Sequence, residues 1–127
     1  MIPIYIAVGG AAGAVARYAL AGFVQNAADS RFPWGTAAVN ILGSLLIGFA
    51  MRSLEALPAS PEMRAFVAMG LLGGFTTFST YTYESLALIR DGLWLRAAIY
   101  SLGSLGIGLL AVAMGWSLSA AVIRSGG

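Results

Sequence analysis

Long apolar stretches separated by short polar connectors dominate the pattern of this chain. Runs without any charged residue cover 1–16, 32–51, 65–83 and 97–123. A membrane-spanning helix needs about 20 mostly apolar residues, so the second and fourth runs qualify alone and the others with short extensions. The pattern predicts an all-α membrane protein with four transmembrane helices, at about residues 4–25, 34–53, 64–89 and 96–122.

The connectors between these runs carry turn-forming residues. They are Asn26–Pro33, Pro58–Pro61 and the pair Asp91-Gly92. The pattern shows no composition shift that would separate a second domain. We therefore predict that residues 1–127 form a single four-helix transmembrane domain.

Composition supports a membrane protein and narrows its function. The chain is 59% hydrophobic and 9% charged, whereas a soluble domain carries about 25% charged residues. Cys and His are both absent, which excludes disulfides, zinc or haem sites built from them, and Cys–His or Ser–His catalytic pairs. A net charge of +2 is too small for binding nucleic acid. We therefore expect neither an enzyme nor a nucleic-acid partner.

The seven basic residues are all arginines, and six of them lie near the ends of the predicted helices. One side of the membrane receives Arg52, Arg64 and Arg124, and the other receives Arg31, Arg90 and Arg96. Basic residues set the orientation of a membrane protein, so a balance of three against three leaves it undecided. The balance fits a chain that inserts both ways and forms an antiparallel dimer. Chance in a small sample is the alternative.

The third apolar run has the most unusual sequence in the chain. Gly73-Gly74 weaken a helix there, and five serine or threonine residues follow within positions 76–82. Backbone that unwinds inside a bilayer must be satisfied by protein, ion or water. We predict that the third helix is broken at this point. The alternative is a continuous helix whose hydroxyls bond their own carbonyls.

Polar residues also recur at helical spacing on two other predicted helices. They are Thr36, Asn40 and Ser44 on the second, then Tyr100 and Ser104 on the fourth, where Gly108 takes the next position. Such stripes fit either interhelical hydrogen bonds or a hydrophilic track across the membrane.

Two charged residues fall within the apolar segments. Arg17 lies well inside the first helix, where arginine is costly. It either contacts a ligand or plays a structural role, such as capping carbonyls near a helix break. Glu84 either faces a vestibule or is a solvated charge at a helix end.

Small residues four apart predict close helix contacts. The pairs are Gly9 with Gly13, Gly70 with Gly74, Ser44 with Gly48, and Ser104 with Gly108. Packing at such positions drives helix association in membranes.

The third-helix sequence Gly73-Gly74-Phe75-Thr76-Thr77-Phe78-Ser79-Thr80 resembles the signature of the Fluc/CrcB fluoride channels. The resemblance extends over the whole chain. It includes Gly9-Gly10 and Ala16-Arg17-Tyr18 in the first helix, and Gly35-Thr36, Val39-Asn40 and Gly43 in the second. Two departures are Tyr81, where the family usually has a second phenylalanine, and Gly108, which removes a hydroxyl from the fourth helix.

This resemblance implies an antiparallel dual-topology homodimer in the lipid of the inner membrane, conducting fluoride passively and protecting the cell from fluoride. It implies that Asn40 and Phe78 line the ion path. With them we place Thr77, Ser79, Thr80, Tyr81, Tyr100 and Ser104 as candidate pore-lining residues, and Arg17 and Glu84 as structural or electrostatic ones. It also implies a structural sodium ion at the dimer centre, bound by the backbone carbonyls of Gly73 and Thr76.

Two other functions stay open on the sequence. A small multidrug-type exporter also has four spans, but it needs a carboxylate in its first helix, where this chain has Arg17. A non-conducting membrane subunit is opposed only by the cost of the many polar groups within the apolar segments.

Overall fold

The computed structural model describes residues 1–126, which form a helical bundle. The long helices are α1 (Ile2–Ala28), α2 (Trp34–Ala56) and α6 (Trp94–Gly126). Each of the three is long and apolar enough to cross a membrane. A chain of shorter helical pieces, from Pro61 to Arg90, makes the fourth crossing. The four predicted helices are confirmed, and each extends beyond at least one of its expected ends. The predicted single domain also includes Gly127, which lies outside the described residues.

The third segment is interrupted, as the sequence predicts. It consists of α3 (Pro61–Arg64), a π-helix (Ala65–Leu72), α4 (Gly73–Phe75) and α5 (Phe78–Arg90). Between α4 and α5 the backbone is extended, with φ −92° and ψ 158° at Thr76 and φ −147° and ψ 118° at Thr77. The interruption thus follows the glycine pair by two residues instead of falling on it.

Side chains cap the beginning of two of these pieces. The Ser60 hydroxyl accepts a hydrogen bond from the Met63 N–H at 3.1 Å, ahead of Pro61. The Thr77 hydroxyl accepts one from the Thr80 N–H at 3.2 Å. An N-cap of this kind satisfies a backbone donor that has no partner inside its helix. Thr77 therefore makes it possible for a new helix to begin in the middle of the segment.

Helix α1 packs directly on the π-helix and α4 through glycines. A methyl group at Gly9 would lie 2.6 Å from the Phe66 carbonyl oxygen, and one at Gly74 would lie 2.7 Å from the Gly10 carbonyl oxygen. The two backbones therefore touch with no space for a side chain between them. This confirms the close contact predicted from the small-residue spacing of the first and third segments.

Helices α2 and α6 form the most extensive contact of the bundle. Here Gly48 meets the Val112 carbonyl and Gly115 meets the Leu45 carbonyl, while the hydroxyls of Ser53 and Ser119 lie 2.6 Å apart. The expected pair Ser104 and Gly108 does not make the closest approach. Gly115 does so, about three turns beyond Ser104 and two turns beyond Gly108 on α6.

Large apolar side chains cover the outside of the bundle. Tyr18 is 82% exposed and Leu95 is 74% exposed in the single chain. A soluble protein rarely exposes so many large apolar residues over a continuous surface. These faces fit contact with lipid acyl chains.

Candidate functional site at the break in the third segment

The interruption is held by the side chain of Asn40, which lies half-buried on α2. The Thr77 N–H donates to Asn40 Oδ1 at 2.8 Å, and Asn40 Nδ2 donates to the Thr77 carbonyl at 2.9 Å. One side-chain amide therefore satisfies both backbone groups of the residue at the break. Because the amide nitrogen carries two hydrogens, the second N–H of Asn40 is left over by this pairing.

Two carbonyls lose their helical donors as a result. In an uninterrupted α-helix the Thr77 N–H would bond the Gly73 carbonyl, and the Thr80 N–H would bond the Thr76 carbonyl. Instead, Thr77 donates to Asn40 and Thr80 donates to the Thr77 hydroxyl. These are the two carbonyls predicted for the sodium ion. Neutral backbone oxygens released from a helix in this way suit a hard cation, so the residues present fit the predicted ion.

A cavity of about 450 Å³ opens beside the break. Its polar side chains are neutral, and its apolar part includes the ring of Phe78. The lining residues are Asn40, Gly43, Ser44, Ile47, Ala68, Leu72, Gly73, Thr76, Thr77, Phe78, Tyr81, Ser104 and Leu105. The predicted residues Asn40, Thr77, Phe78, Tyr81 and Ser104 are thus brought together. The lining includes no charged residue.

The two aromatic residues of this cavity differ in their surroundings. Phe78 begins α5 and is 76% exposed, so its ring faces away from the chain's own core. Tyr81 lies one turn later, with ring centroids 5.8 Å apart and planes tilted by 49°. The Tyr81 hydroxyl donates to the Ser101 carbonyl on α6. Tyr81 is therefore tied to the bundle, whereas Phe78 is not.

Tyr100 packs against a residue of this cavity without lining it, since its ring centroid lies 5.4 Å from that of Tyr81. It is 1% exposed and belongs to the apolar core, with the Phe32 ring edge-on at a centroid distance of 5.5 Å. Its hydroxyl donates to Glu84 Oε1 at 3.4 Å, and it does not line the cavity at the break. Helical spacing aligned Tyr100 with Ser104, but a long helical side chain leans toward the N-terminus of its helix and away from a residue that follows.

Thr80 and Ser79 also lie outside this cavity. Thr80 lines a second cavity of about 440 Å³ that contains Arg17, Thr77 and Glu84 among its lining residues. Ser79 is exposed on α5, and its carbonyl accepts a hydrogen bond from the Thr82 hydroxyl at 3.1 Å.

Arg17 has a backbone partner at the break. Its Nε donates to the Gly74 carbonyl at 3.1 Å. In an uninterrupted helix that carbonyl would accept the N–H of Phe78, which now begins a new helix. Arg17 thus makes the contact expected of the structural alternative, while also lining the second cavity.

Glu84 lines two cavities. It borders the second cavity and a third of about 240 Å³ that also contains Arg31 and Asp91. Arg31 and Asp91 form an ion pair of 3.3 Å between the two loops at this end, both largely exposed. The position of Glu84 beside both cavities fits a residue that faces a vestibule better than an isolated charge at a helix end.

The fold and the site together define a small multi-pass helical membrane protein built around an interrupted helix and a neutral, hydroxyl- and amide-lined cavity. Its family follows from comparison with known proteins. The chain belongs to the family described as CrcB-like protein, Camphor Resistance (CrcB), whose model matches residues 4–116.

Relatives match almost the entire chain. A protein of Thermus thermophilus named fluoride-specific ion channel FluC is 48% identical over 119 residues, which cover 93% of this chain and 93% of the relative. Proteins with the same name from Hahella chejuensis and Geobacter sulfurreducens are 42% and 48% identical, covering 94% and 83% of this chain and 95% and 86% of those proteins.

These matches confirm the family resemblance drawn from the sequence. The relatives carry the name of an ion channel, and this chain has three helices long and apolar enough to cross a membrane. The matches give no support to the multidrug exporter or to a non-conducting subunit.

Proposed function

We propose that this protein is a fluoride channel through which cytoplasmic fluoride leaves the cell by passive electrodiffusion. One observation carries the proposal. The cavity at the break is lined by neutral hydrogen-bond donors and aromatic rings with no charged side chain, in a chain 48% identical to a protein named fluoride-specific ion channel.

The chemistry of this cavity suits a small, strongly hydrated anion. Such an ion gives up water only where donors replace it, and the second N–H of Asn40 and the hydroxyl of Ser104 are donors. The ring of Phe78 adds a positive edge. Conduction requires sites that bind weakly in series, which neutral donors supply and a buried arginine would not. Arg17 contributes positive potential from the second cavity without lining the first.

The direction of transport follows from acid–base chemistry and the membrane potential. In acidic surroundings fluoride is protonated to neutral hydrogen fluoride, which crosses the membrane. It then dissociates in the cytoplasm. The interior-negative potential contributes about 2.3 kcal/mol per charge for each 100 mV. A passive anion pore therefore moves the trapped fluoride outward and protects the cell.

The functional unit is an antiparallel homodimer embedded in lipid. Two observations support the dimer. One is the balance of three arginines on each side of the membrane, and the other is the set of exposed residues on the outer face of α5. Phe78 is 76% exposed there, and Ser79 and Thr82 are exposed as well. Polar residues facing acyl chains are unfavourable, so a second copy covering this face stabilises it. The ring of Phe78 then faces the partner.

A sodium ion lies at the centre of this dimer. Support comes from the released carbonyls of Gly73 and Thr76, which two copies related by a two-fold axis would double. Among residues 1–126 no group of three or more His, Cys, Asp or Glu side chains could hold a metal. Neutral carbonyls would therefore bind the ion, whose charge adds positive potential near the ion path.

Fluoride efflux from liposomes tests the proposed function. Purified protein is reconstituted into vesicles loaded with potassium fluoride, and valinomycin starts efflux that a fluoride electrode records. Vesicles loaded with chloride serve as the control. We expect rapid fluoride efflux with chloride retained. Absence of fluoride efflux, or equal efflux of chloride, contradicts the proposal.

The same vesicles separate the rival functions. A multidrug-type exporter would instead show proton-coupled uptake of a cation, and a non-conducting subunit would show neither activity.

A further inference from the structure

We propose that Asn40 is a positioning residue for the cation site, because its side chain keeps the Gly73 carbonyl free to bind the ion. The inference rests on the proposed sodium site and adds to it. Asn40 touches neither Gly73 nor Thr76 through its hydrogen bonds. It acts on Gly73 through Thr77.

The first step is a competition for one N–H group. Only one strong acceptor can take the Thr77 N–H at good geometry. That acceptor is Asn40 Oδ1 at 2.8 Å, and the Gly73 carbonyl is the one that an unbroken helix would use. Inside a bilayer an N–H without a partner costs several kcal/mol, so a chain without Asn40 Oδ1 would return this N–H to Gly73.

The second step concerns the Thr77 carbonyl. Asn40 Nδ2 donates to it at 2.9 Å, so the peptide plane at the break is held at both ends. The space beside Gly73 supports the assignment of its carbonyl as a ligand of the cation. A methyl group built there would meet only the Ala68 carbonyl, at an ordinary contact distance of 3.5 Å, while Gly70 and Gly74 on the same segment are pressed against α1.

The third step is the effect of symmetry. In an antiparallel dimer each Asn40 releases one Gly73 carbonyl, so removing the side chain withdraws two ligands from one ion. Loss of groups that orient metal ligands typically lowers metal affinity by roughly 10–100-fold. Asn40 thus links the cavity proposed for the anion with the site proposed for the cation.

The test measures sodium binding through thermal stability, in the absence of fluoride. Purified dimer in detergent is titrated with NaCl against N-methylglucamine chloride at constant ionic strength, and the sodium concentration giving half of the stabilisation is recorded. The test variants are Asn40→Ala and Asn40→Leu, which both remove the acceptor. The matched control is Ser44→Ala, since the Ser44 hydroxyl lines the same cavity but bonds only the carbonyl of Asn40 within α2.

We expect the sodium midpoint to rise roughly 10–100-fold in Asn40→Ala and Asn40→Leu and to stay at the wild-type value in Ser44→Ala. Asn40→Asp keeps an oxygen that accepts the Thr77 N–H, so its midpoint should equal the wild-type value or fall below it. A merely structural role of Asn40 would lower stability equally at all sodium concentrations.

A wild-type midpoint in a folded Asn40→Ala or Asn40→Leu dimer overturns the inference. If neither variant folds, Asn40→Asp decides it, because a folded aspartate variant that no longer responds to sodium also overturns it. A wild-type protein without any sodium response overturns the cation site and this inference together. Since the titration contains no fluoride, each of these outcomes leaves the efflux assay to decide the channel.

Discussion

Replacing Asn40 by aspartate puts a negative charge on the wall of the cavity at the break. A sphere with the cavity volume of about 450 Å³ has a radius of about 5 Å, so an anion at its centre lies about that far from the wall. With an effective dielectric constant of about 20, two like charges at this distance repel by about 3 kcal/mol. Each 1.4 kcal/mol is a factor of about ten, so we expect fluoride efflux to fall by roughly two orders of magnitude.

The assay is fluoride-electrode efflux from liposomes at neutral pH, with the dimer checked by size-exclusion chromatography. Asn26→Asp is the control, because it makes the same chemical change at an exposed residue near the end of α1. We expect it to conduct like the wild type. Wild-type efflux from a folded Asn40→Asp dimer would remove Asn40 from the ion path and refute the electrostatic reasoning.

Four further predictions concern other parts of the molecule. Phe78→Ile should lower efflux sharply, since it fills similar space without a positive ring edge; unchanged efflux contradicts this. Tyr81→Phe keeps the edge and loses one hydrogen bond to α6, so efflux should stay near wild type and stability fall by about 0.5–1.5 kcal/mol in a thermal melt. If this variant conducts as poorly as Phe78→Ile, the hydroxyl itself matters. Gly9→Val should prevent assembly, measured by size-exclusion chromatography, because even a methyl group there meets backbone at 2.6 Å. Adding two arginines to Pro58–Pro61 should fix one orientation and abolish protection of fluoride-sensitive cells, and co-expression with a variant carrying two in the 26–33 loop should restore it. Full protection by either variant alone, with its single orientation confirmed by tag accessibility, argues against the antiparallel dimer.

The helices and their close contacts could be predicted because they depend on local pattern. Charge-free runs of suitable length located the four segments, and paired glycines located the contact between α1 and the third segment. The broken helix was predicted as well, within the stretch that begins at Gly73, but its exact residues were not. The break lies at Thr76 and Thr77 because Asn40, 37 positions away in the sequence, binds Thr77. Such a tertiary hydrogen bond leaves no trace in local periodicity.

The cavity at the break brings together some of the residues that the sequence singled out. Asn40, Thr77, Phe78, Tyr81 and Ser104 line one cavity, in agreement with the polar stripes that suggested a hydrophilic track. Tyr100 has the right spacing, yet its ring is buried in the core. Spacing tells which residues share a helix face, whereas the length and lean of a side chain decide what it reaches.

The π-helical stretch Ala65–Leu72 sets the rotational phase with which the chain enters the break. Its i→i+5 pairing, seen where the Gly73 N–H reaches the Ala68 carbonyl, accommodates one more residue per turn than an α-helix would. Converting this stretch to α-helical pairing without changing its length would rotate everything that follows it. Gly70 lies within this stretch and Gly74 just after it, and both face α1, so their alignment depends on how the residues between them are paired. Substitutions at exposed positions such as Met69 should therefore be tolerated better than changes that convert the stretch to α-helical pairing.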